Sequence, residues 1–564
     1  MKKAIPVFIA LALIGLVVFI NFGNKIYQKY SYGSETADLN DYFGIYKSSD
    51  VPMVLQDTRV EEAATMIDGK VYFDIETVEK YFTERFYLDT NENLLLYTTS
   101  TGTYKTEPGT KSYYSADEVF DEKYTLSLIQ DDTLYIALDY LKKYVNFSYE
   151  LFDDPLRIQV YTEWGQYTCA DLKSDTQVRW RGGVKSEILR EISEGETVEI
   201  LEEMDEWTKV KTNDAFIGYV ENFRLTNERI DYEIPVTDVK EEEFSSLVRD
   251  HKINLSWDYM EWPQDGSSLR NTVNYAKELN VISPTWYYLT DNEGSFKSLG
   301  NADYVNTAHK MDIEVWPLIS NFHAGIDVDT TEVLSYTSKR EQLIANLVED
   351  VVNYGADGIN VDFENLASSC GPSFVQFIRE LALECHKANL VLSVDNYVPT
   401  EYTAFYNRGA QSQFCDYIVI MGYDEHYAGS EAGSVASLSW VREGIEKTLK
   451  YVPAEKVINA IPFYTRVWKT KDGQVTSEAV NMDVGLDFIS RNKITTKWLD
   501  DCGQNYGEAT FDGIYYQVWL EDVESITAKI NVMTANKIAG IASWRIGQEI
   551  PEVWSVIEAY MQQP

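Results

Sequence analysis

The stretch Ala356-Asp357-Gly358-Ile359-Asn360-Val361-Asp362-Phe363-Glu364 decides how this chain is read. It opens on the turn signal Asp-Gly and then alternates apolar with acidic or amide side chains. Period-two alternation is the signature of a strand, so Ile359, Val361 and Phe363 face one side and Asn360, Asp362 and Glu364 the other. Two carboxylates placed side by side in a protein interior are costly, and their repulsion drives a proton onto one of them. A strand ending in such a pair suits proton transfer better than packing. That points to acid/base chemistry.

Outward from this strand, the region 235–564 alternates candidate strands with helical patterns, the rhythm of a parallel α/β barrel. The strands are expected at Lys252–Trp257, Val281–Tyr287, Glu314–Ser320, Gly358–Phe363, Leu390–Asp395, Tyr417–Gly422, Lys456–Ile461 and Gly540–Trp544, with helices such as Arg340–Tyr354 and Ser373–Ala388 between them. Eight strands make a (β/α)8 (TIM) barrel, whose active sites sit at the strand C-terminal ends. The unusual residues of this region lie there.

Four motifs then line up. Asp357-x-x-Asn360-x-Asp362-x-Glu364 stands on the fourth expected strand and Met421-Gly-Tyr423-Asp424 on the sixth. Pro462-Phe463-Tyr464-x-Arg466 fits the seventh, and Ser543-Trp544 ends the eighth. In order and position they resemble glycoside hydrolase family 18, the chitinase family. The resemblance implies a substrate-assisted mechanism. Glu364 would protonate the glycosidic oxygen, and the substrate's own N-acetyl carbonyl would attack the anomeric carbon to form an oxazolinium ion. Asp362 would orient the acetamido group and Tyr423 would hydrogen-bond its oxygen. Glu364 would then act as base towards water, with retention of configuration. Asn360, Asp357, Met421, Asp424, Arg466 and Trp544 fall at substrate-binding positions in the same way. Trp544 offers a flat floor for a sugar, with barrel core as its alternative; Asp424 and Arg466 meet sugar hydroxyls or pair with each other. No cofactor and no metal are implied. Asn360 departs from the family pattern, which has a second acid there. An amide cannot share a proton with Asp362, so the pH profile should differ from that of typical chitinases. The Asn-Val-Asp-Phe-Glu form is similar to the branch containing spore-germination and cell-wall N-acetylglucosaminidases.

Aromatic residues crowd the expected strand ends: Trp257, Trp262, Trp286, Tyr287, Trp316, Tyr397, Tyr427 and Trp519. Trp286 and Tyr397 are the chosen candidates for sugar-stacking platforms, against ordinary barrel packing. Glu521 and Asp522 read equally well as a helix cap or as catalytic acids.

The bulk of the chain narrows its partners. Its 49 basic and 90 acidic residues give a formal charge of -41 over 564 residues, with no basic stripe, which argues against nucleic acid. Five scattered cysteines and five histidines supply neither a disulfide framework nor metal-ligand spacing. Residues 1–22 stand apart. Met1-Lys2-Lys3 precedes an uncharged run from Ala4 to Ile20 without an Ala-x-Ala cleavage site, which reads as an uncleaved signal anchor holding an exported protein to the membrane, with a cleaved signal peptide and a secreted protein as the alternative.

Two modules are expected between anchor and barrel. Within residues 40–163, Asp68-Gly-Lys-Val-Tyr72 is echoed by Asp132-Thr-Leu-Tyr135, each leading to an apolar run, Leu94–Tyr97 and Ile158–Tyr161. This α+β repeat resembles the domain at the N-terminus of copper amine oxidases, without a copper site because the segment contains neither His nor Cys. Residues 168–228 carry Val178-Arg179, Gly195-Glu-Thr-Val-Glu-Ile200, Trp207-Thr-Lys-Val210 and Gly218-Tyr219-Val220, and resemble a bacterial SH3 domain. Its short alternating strands suit a small β-barrel, with Trp207 and Tyr219 either in a peptide groove or in the core. The expectation is thus an α/β enzyme anchored outside the cytoplasm, cleaving β-1,4-linked N-acetylglucosamine in peptidoglycan. The alternatives are chitin or N-glycan hydrolysis, and a wall-binding lectin without catalysis.

Overall fold

The computed structural model describes residues 5–116, 118–233, 239–240 and 242–563, the side chains of 5–12 excepted. The chain divides into two compact units. Residues 40–163 contribute to both: Arg85–Thr106 and Tyr113–Val119 cluster with Glu242–Pro564, and the remainder with the N-terminal unit.

In the N-terminal unit, one seven-stranded sheet has Asp50–Leu55 paired with Arg157–Tyr161 in parallel and with Thr58–Ile67 antiparallel. A second seven-stranded sheet, spanning Gln166–Leu172 to Leu225–Tyr232, is the small barrel. Its core of Leu172, Val178, Val198, Val210 and Val220 takes in Tyr42 and Phe43, so the module begins before residue 168. Trp207 and Tyr219 are half-buried. The backbone of Gly182 lies so close to both that a Cβ there would meet them at 3.3 and 3.6 Å.

The expected membrane span needs correction. Residues 1–4 and the side chains to residue 12 lie outside the described residues, and among those described no helix is long and apolar enough to cross a membrane. The helix Ile5–Tyr30 exists, but among its described side chains the apolar run covers only residues 13–20; Asn21 follows, and Asn24, Lys25, Gln28 and Lys29 make up much of its last two turns.

In the second unit eight parallel staves close into a barrel. They are β1 (Ile253–Asp258), β2 (Val281–Pro284, resumed at Tyr287–Leu289), β3 (Glu314–Val315, resumed at Leu318–Ser320), β4 (Gly358–Asp362), β5 (Val391–Tyr397), β6 (Tyr417–Met421), β7 (Val457–Pro462) and β8 (Gly540–Trp544). β8 pairs with both β7 and β1, which completes the ring. Alternation along β4 works as expected: Ile359, Val361 and Phe363 pack among the helices, leaving Asn360 and Asp362 to the interior. The floor inside is apolar, with Trp257, Trp316, Val391 and Ile458 in one cluster. Gly358 is required there, because a Cβ would meet the Trp316 ring at 2.8 Å.

Two features were not legible beforehand. Between β7 and β8 lies a five-stranded antiparallel sheet with a helix, running from Tyr464–Lys471 to Ile514–Leu520, so Tyr464 and Arg466 belong to this insertion and not to β7. Asp522 caps the next helix by accepting from Ser525 N at 2.9 Å, while Glu521 is wholly buried with Lys529 at 2.9 Å. The second feature is a five-stranded sheet whose first three strands, Phe86–Asp89, Leu94–Thr98 and Thr103–Thr106, pack on barrel helices Thr337–Tyr354 and Gly371–Lys387. The first of these helices has no side-chain cap of its own. Asp89 Oδ2 accepts from Thr337 N at 2.7 Å and from its hydroxyl at 2.6 Å, and Glu92 accepts from Ser338 N at 2.9 Å. Gln376 donates to Thr98 Oγ1 at 2.8 Å, and Arg340 lies over Tyr87 at 4.9 Å.

Orphan N–H groups at a helix start need acceptors, and losing a capping carboxylate costs about 0.5–2 kcal/mol. Asp89 is itself buried, so Asp89→Ala should lower the stability of the second unit by about 2 kcal/mol, read as a lower urea midpoint of the full chain. An unchanged midpoint would mean that this helix start is satisfied by other groups.

Candidate active site

Four inward side chains meet at the C-terminal rim of β4, β5 and β6. Asp362 ends β4 and is buried, and its Oδ1 has no hydrogen-bond partner. Glu364 follows two residues on. Its backbone is held at both ends by Asn321, which accepts from Glu364 N at 2.8 Å and donates to Glu364 O at 2.9 Å. Tyr397, at the end of β5, donates its hydroxyl to Glu364 Oε2 at 2.7 Å. Tyr423 stands just beyond β6, with its ring 6.4 Å from that of Tyr464.

The electrostatics follow from burial without a cation. Desolvation, then the charges of Glu364 and Asp395, hold the Asp362 carboxyl well above the usual carboxylate range. Burial raises Glu364 too, opposed by the Tyr397 hydrogen bond and reinforced by Asp424. Burial and the Asp362 charge push the Tyr423 phenol up, so it stays a neutral donor. A carboxyl whose proton is held more tightly than usual, beside a second carboxyl with a vacant acceptor, is equipped to donate a proton and to stabilise a positive charge.

Other expected residues are placed variously. Asn360, fully buried below Asp362, accepts from Trp257 Nε1 at 2.9 Å and donates to Asp395 Oδ1 at 2.8 Å and Ser393 Oγ at 3.0 Å. Met421 is buried at the end of β6, in register with Tyr397. Trp544 is half-buried at the end of β8, 5.7 Å from the Trp257 ring. Asp424 accepts from Tyr464 at 2.6 Å, whereas Arg466 donates to Ser477 Oγ at 3.1 Å.

Three expectations are corrected. Asp357 precedes β4 at the opposite end of the barrel, where it accepts from Val315 N at 2.8 Å and contacts His309 Nε2 at 2.8 Å, so it ties the start of β3 and does not meet substrate. Trp286 sits at the break in β2, which turns it into the helix layer, fully buried against Tyr304 and Tyr354. It is core and not a platform. Tyr397 reaches the site as a hydrogen-bond donor to Glu364 and not as a stacking face. Sequence reasoning missed Asp395, although the alternation Ser393, Asp395, Tyr397 carried the same signal as β4.

Comparison with known proteins agrees with this geometry. Residues 324–549 match the model for glycosyl hydrolases family 18, and residues 174–224 match that for the bacterial SH3 domain. An uncharacterized glycosylase of Bacillus subtilis, YvbX, is 25% identical over 310 residues, covering 52% of this chain and 88% of that protein. The cortical fragment-lytic enzyme of Bacillus anthracis is 24% identical over 246 residues, covering 42% of this chain and 56% of its own length. Among solved structures, the spore cortex-lytic enzyme SleL of Bacillus megaterium shares the fold, with a TM-score of 0.50 at 19% identity over 58% of this chain and 78% of that one.

Carboxyls with raised pKa values bind more protons folded than unfolded. Unfolded carboxyls titrate near pH 4, so stability should fall as pH rises from about 4 through the raised values of Asp362 and Glu364. Asp362→Asn should flatten that slope and raise the neutral-pH stability by about 1 kcal/mol, read as a higher unfolding midpoint. A slope equal to the wild type's would show that the pair is not the source.

Proposed function

We propose, from the premise that the chain carries a family 18 glycosyl hydrolase domain and is a glycoside hydrolase, that it cleaves β-1,4-linked N-acetylglucosamine in peptidoglycan with retention of configuration. The observation that carries this reading is the pairing of a raised, Tyr397-held Glu364 with an Asp362 whose Oδ1 is buried and unpartnered.

Glu364 Oε2 accepts from Tyr397, which leaves Oε1 to carry the proton. Glu364 gives that proton to the glycosidic oxygen as the C1–O bond breaks, and the acetamido carbonyl oxygen of the same sugar attacks C1. The vacant acceptor of Asp362 takes the acetamido N–H and balances the oxazolinium charge. Tyr423, kept neutral, donates to the acetamido oxygen, and Trp544 lies under the ring. Glu364, now a carboxylate, removes a proton from the water that attacks C1, and two displacements restore the original configuration.

Peptidoglycan is favoured over chitin on two grounds. A curated relative is named for lysis of cortical fragments, and a bacterial SH3 domain precedes the barrel. We place the enzyme's work outside the cytoplasm, where such a polymer lies, with Trp207 and Tyr219 of the SH3 module as wall-peptide contacts.

Purified full-length protein should release reducing ends from peptidoglycan, and more slowly from chito-oligosaccharides. Glu364→Gln should lower kcat at least ~100-fold. De-N-acetylated glycan should resist, since it lacks the internal nucleophile, and its efficient cleavage would sink the mechanism. Glycan binding by both proteins without turnover by either would make the barrel a lectin. Tyr397→Phe removes a donor that lowers the Glu364 pKa, so the alkaline limb of the pH–rate profile should move to higher pH. A limb that moves the other way would reverse that assignment.

A further inference from the structure

Asp395 is a third carboxyl that the reaction just described does not use. It lies on β5, buried, and faces the barrel interior. The β4–β5 register pairs Asn360 with Ser393 and Val361 with Val394, so the next inward residues, Asp362 and Asp395, stand opposite one another. Neighbouring strands are about 4.8 Å apart, and like charges at that separation in an apolar cavity do not both persist. Burial and the Glu364 charge both raise Asp395, and among the described residues no Lys or Arg acts on either member of the pair. The groups facing them are Trp257 from β1, Ser283 from β2, Asn360 and Glu364 from β4 and its end, Ser393 from β5 and Tyr423 beyond β6.

The hydrogen bonds say where the single charge rests. Trp257 Nε1 is donor-only and points at Asn360 Oδ1, as does the Ser283 hydroxyl at 3.3 Å, which fixes the amide with its NH2 towards β5. Asp395 Oδ1 therefore receives an N–H, which favours its anion, while Asp362 Oδ1 receives nothing. We propose that Asp395 is a positioning residue that exchanges a proton with Asp362. In the empty site Asp362 holds the proton and Asp395 the charge. When the acetamido N–H of the substrate reaches Asp362, the O–H bond on Asp362 breaks and one forms on Asp395 Oδ2. The pair keeps a net charge of one throughout, so the switch draws no proton from solvent. Asp395 thus supplies from β5 the acid that Asn360 does not supply from β4. This rests on the hydrolase reading for its substrate, though not for the pairing of the two carboxyls.

The test uses the full chain in the Glu364→Gln background, empty and with a chito-oligosaccharide, and reads the infrared band of neutral carboxyl groups. Asp362→Asn should remove the band in the empty protein, and Asp395→Asn should remove it in the glycan complex. A band assigned to the same residue in both states overturns the exchange. With Glu364 intact, Asp395→Asn should move the acidic limb of kcat up by about one pH unit, the worth of one hydrogen bond to the charged form, while KM changes less than about threefold. The swap Asn360→Asp with Asp395→Asn puts the acid back on β4 and should return the limb towards its original place. An Asp395→Asn profile superimposed on the wild type's makes the residue mere packing. Wild-type protein that binds glycan and exchanges the bands but never turns over would refute the hydrolase reading and leave the proton exchange standing.

Discussion

Everything at the mouth of this barrel depends on the repulsion among carboxyls held in a cavity without a cation. Asp362 and Asp395 face each other across β4 and β5, with Glu364 close enough to raise both. Water would screen such a cluster; burial does not. The site settles the conflict by retaining protons, and a retained proton is what a general acid needs. Asn360 fits the same logic, since its fourfold hydrogen bonding to Trp257, Ser283, Ser393 and Asp395 organises the cluster without adding charge.

The scaffold that bears this cost is wider than the barrel. β4 runs into the site from a turn secured by Asp357 at the far end, and Asn321 clamps the Glu364 backbone from β3's side. Behind β4, the helices Thr337–Tyr354 and Gly371–Lys387 are tied to each other by the buried Arg340–Glu380 pair at 3.0 Å. Both are tied in turn to the sheet of residues 86–106 through Asp89 and Thr98. A mispositioning there would reach Asp362 through rigid, close-packed elements.

Much of this was legible in the chain. The alternation through residues 358–364 assigned both faces of β4 correctly, because one face packs on helices and the other on polar partners. All eight staves lie within a residue or two of their expected ends, apart from the breaks in β2 and β3 at Trp286 and Trp316, each beside a proline, Pro284 and Pro317, that has no N–H for the ladder. Trp286 was misplaced for that reason. Asp357 was misread because motif spacing gives proximity along a strand and not which end of the barrel a residue occupies. The insertion sheet and the sheet over the helices were invisible, since antiparallel meanders show only local alternation and nothing of where they dock. Asp395 was in plain view on β5 but shared no strand with its partners, and pairing across strands is a tertiary fact.

The cap that Asp89 provides has a consequence in time. Asp89 and Thr337 are 248 residues apart, and at common rates of synthesis roughly 12–50 s separate their emergence from the ribosome. Through that interval the meander of residues 86–106 presents Asp89 Oδ2 without its helix partners, though Oδ1 is already bonded to Asn91 N and Glu92 N, and an apolar face that includes Leu96, on the same side of the strand as Thr98. The last-made half of the protein must therefore fold onto a platform laid down by the first. Vectorial synthesis turns that sheet into a waiting template, and the barrel that carries the chemistry is completed only by a segment translated long before it.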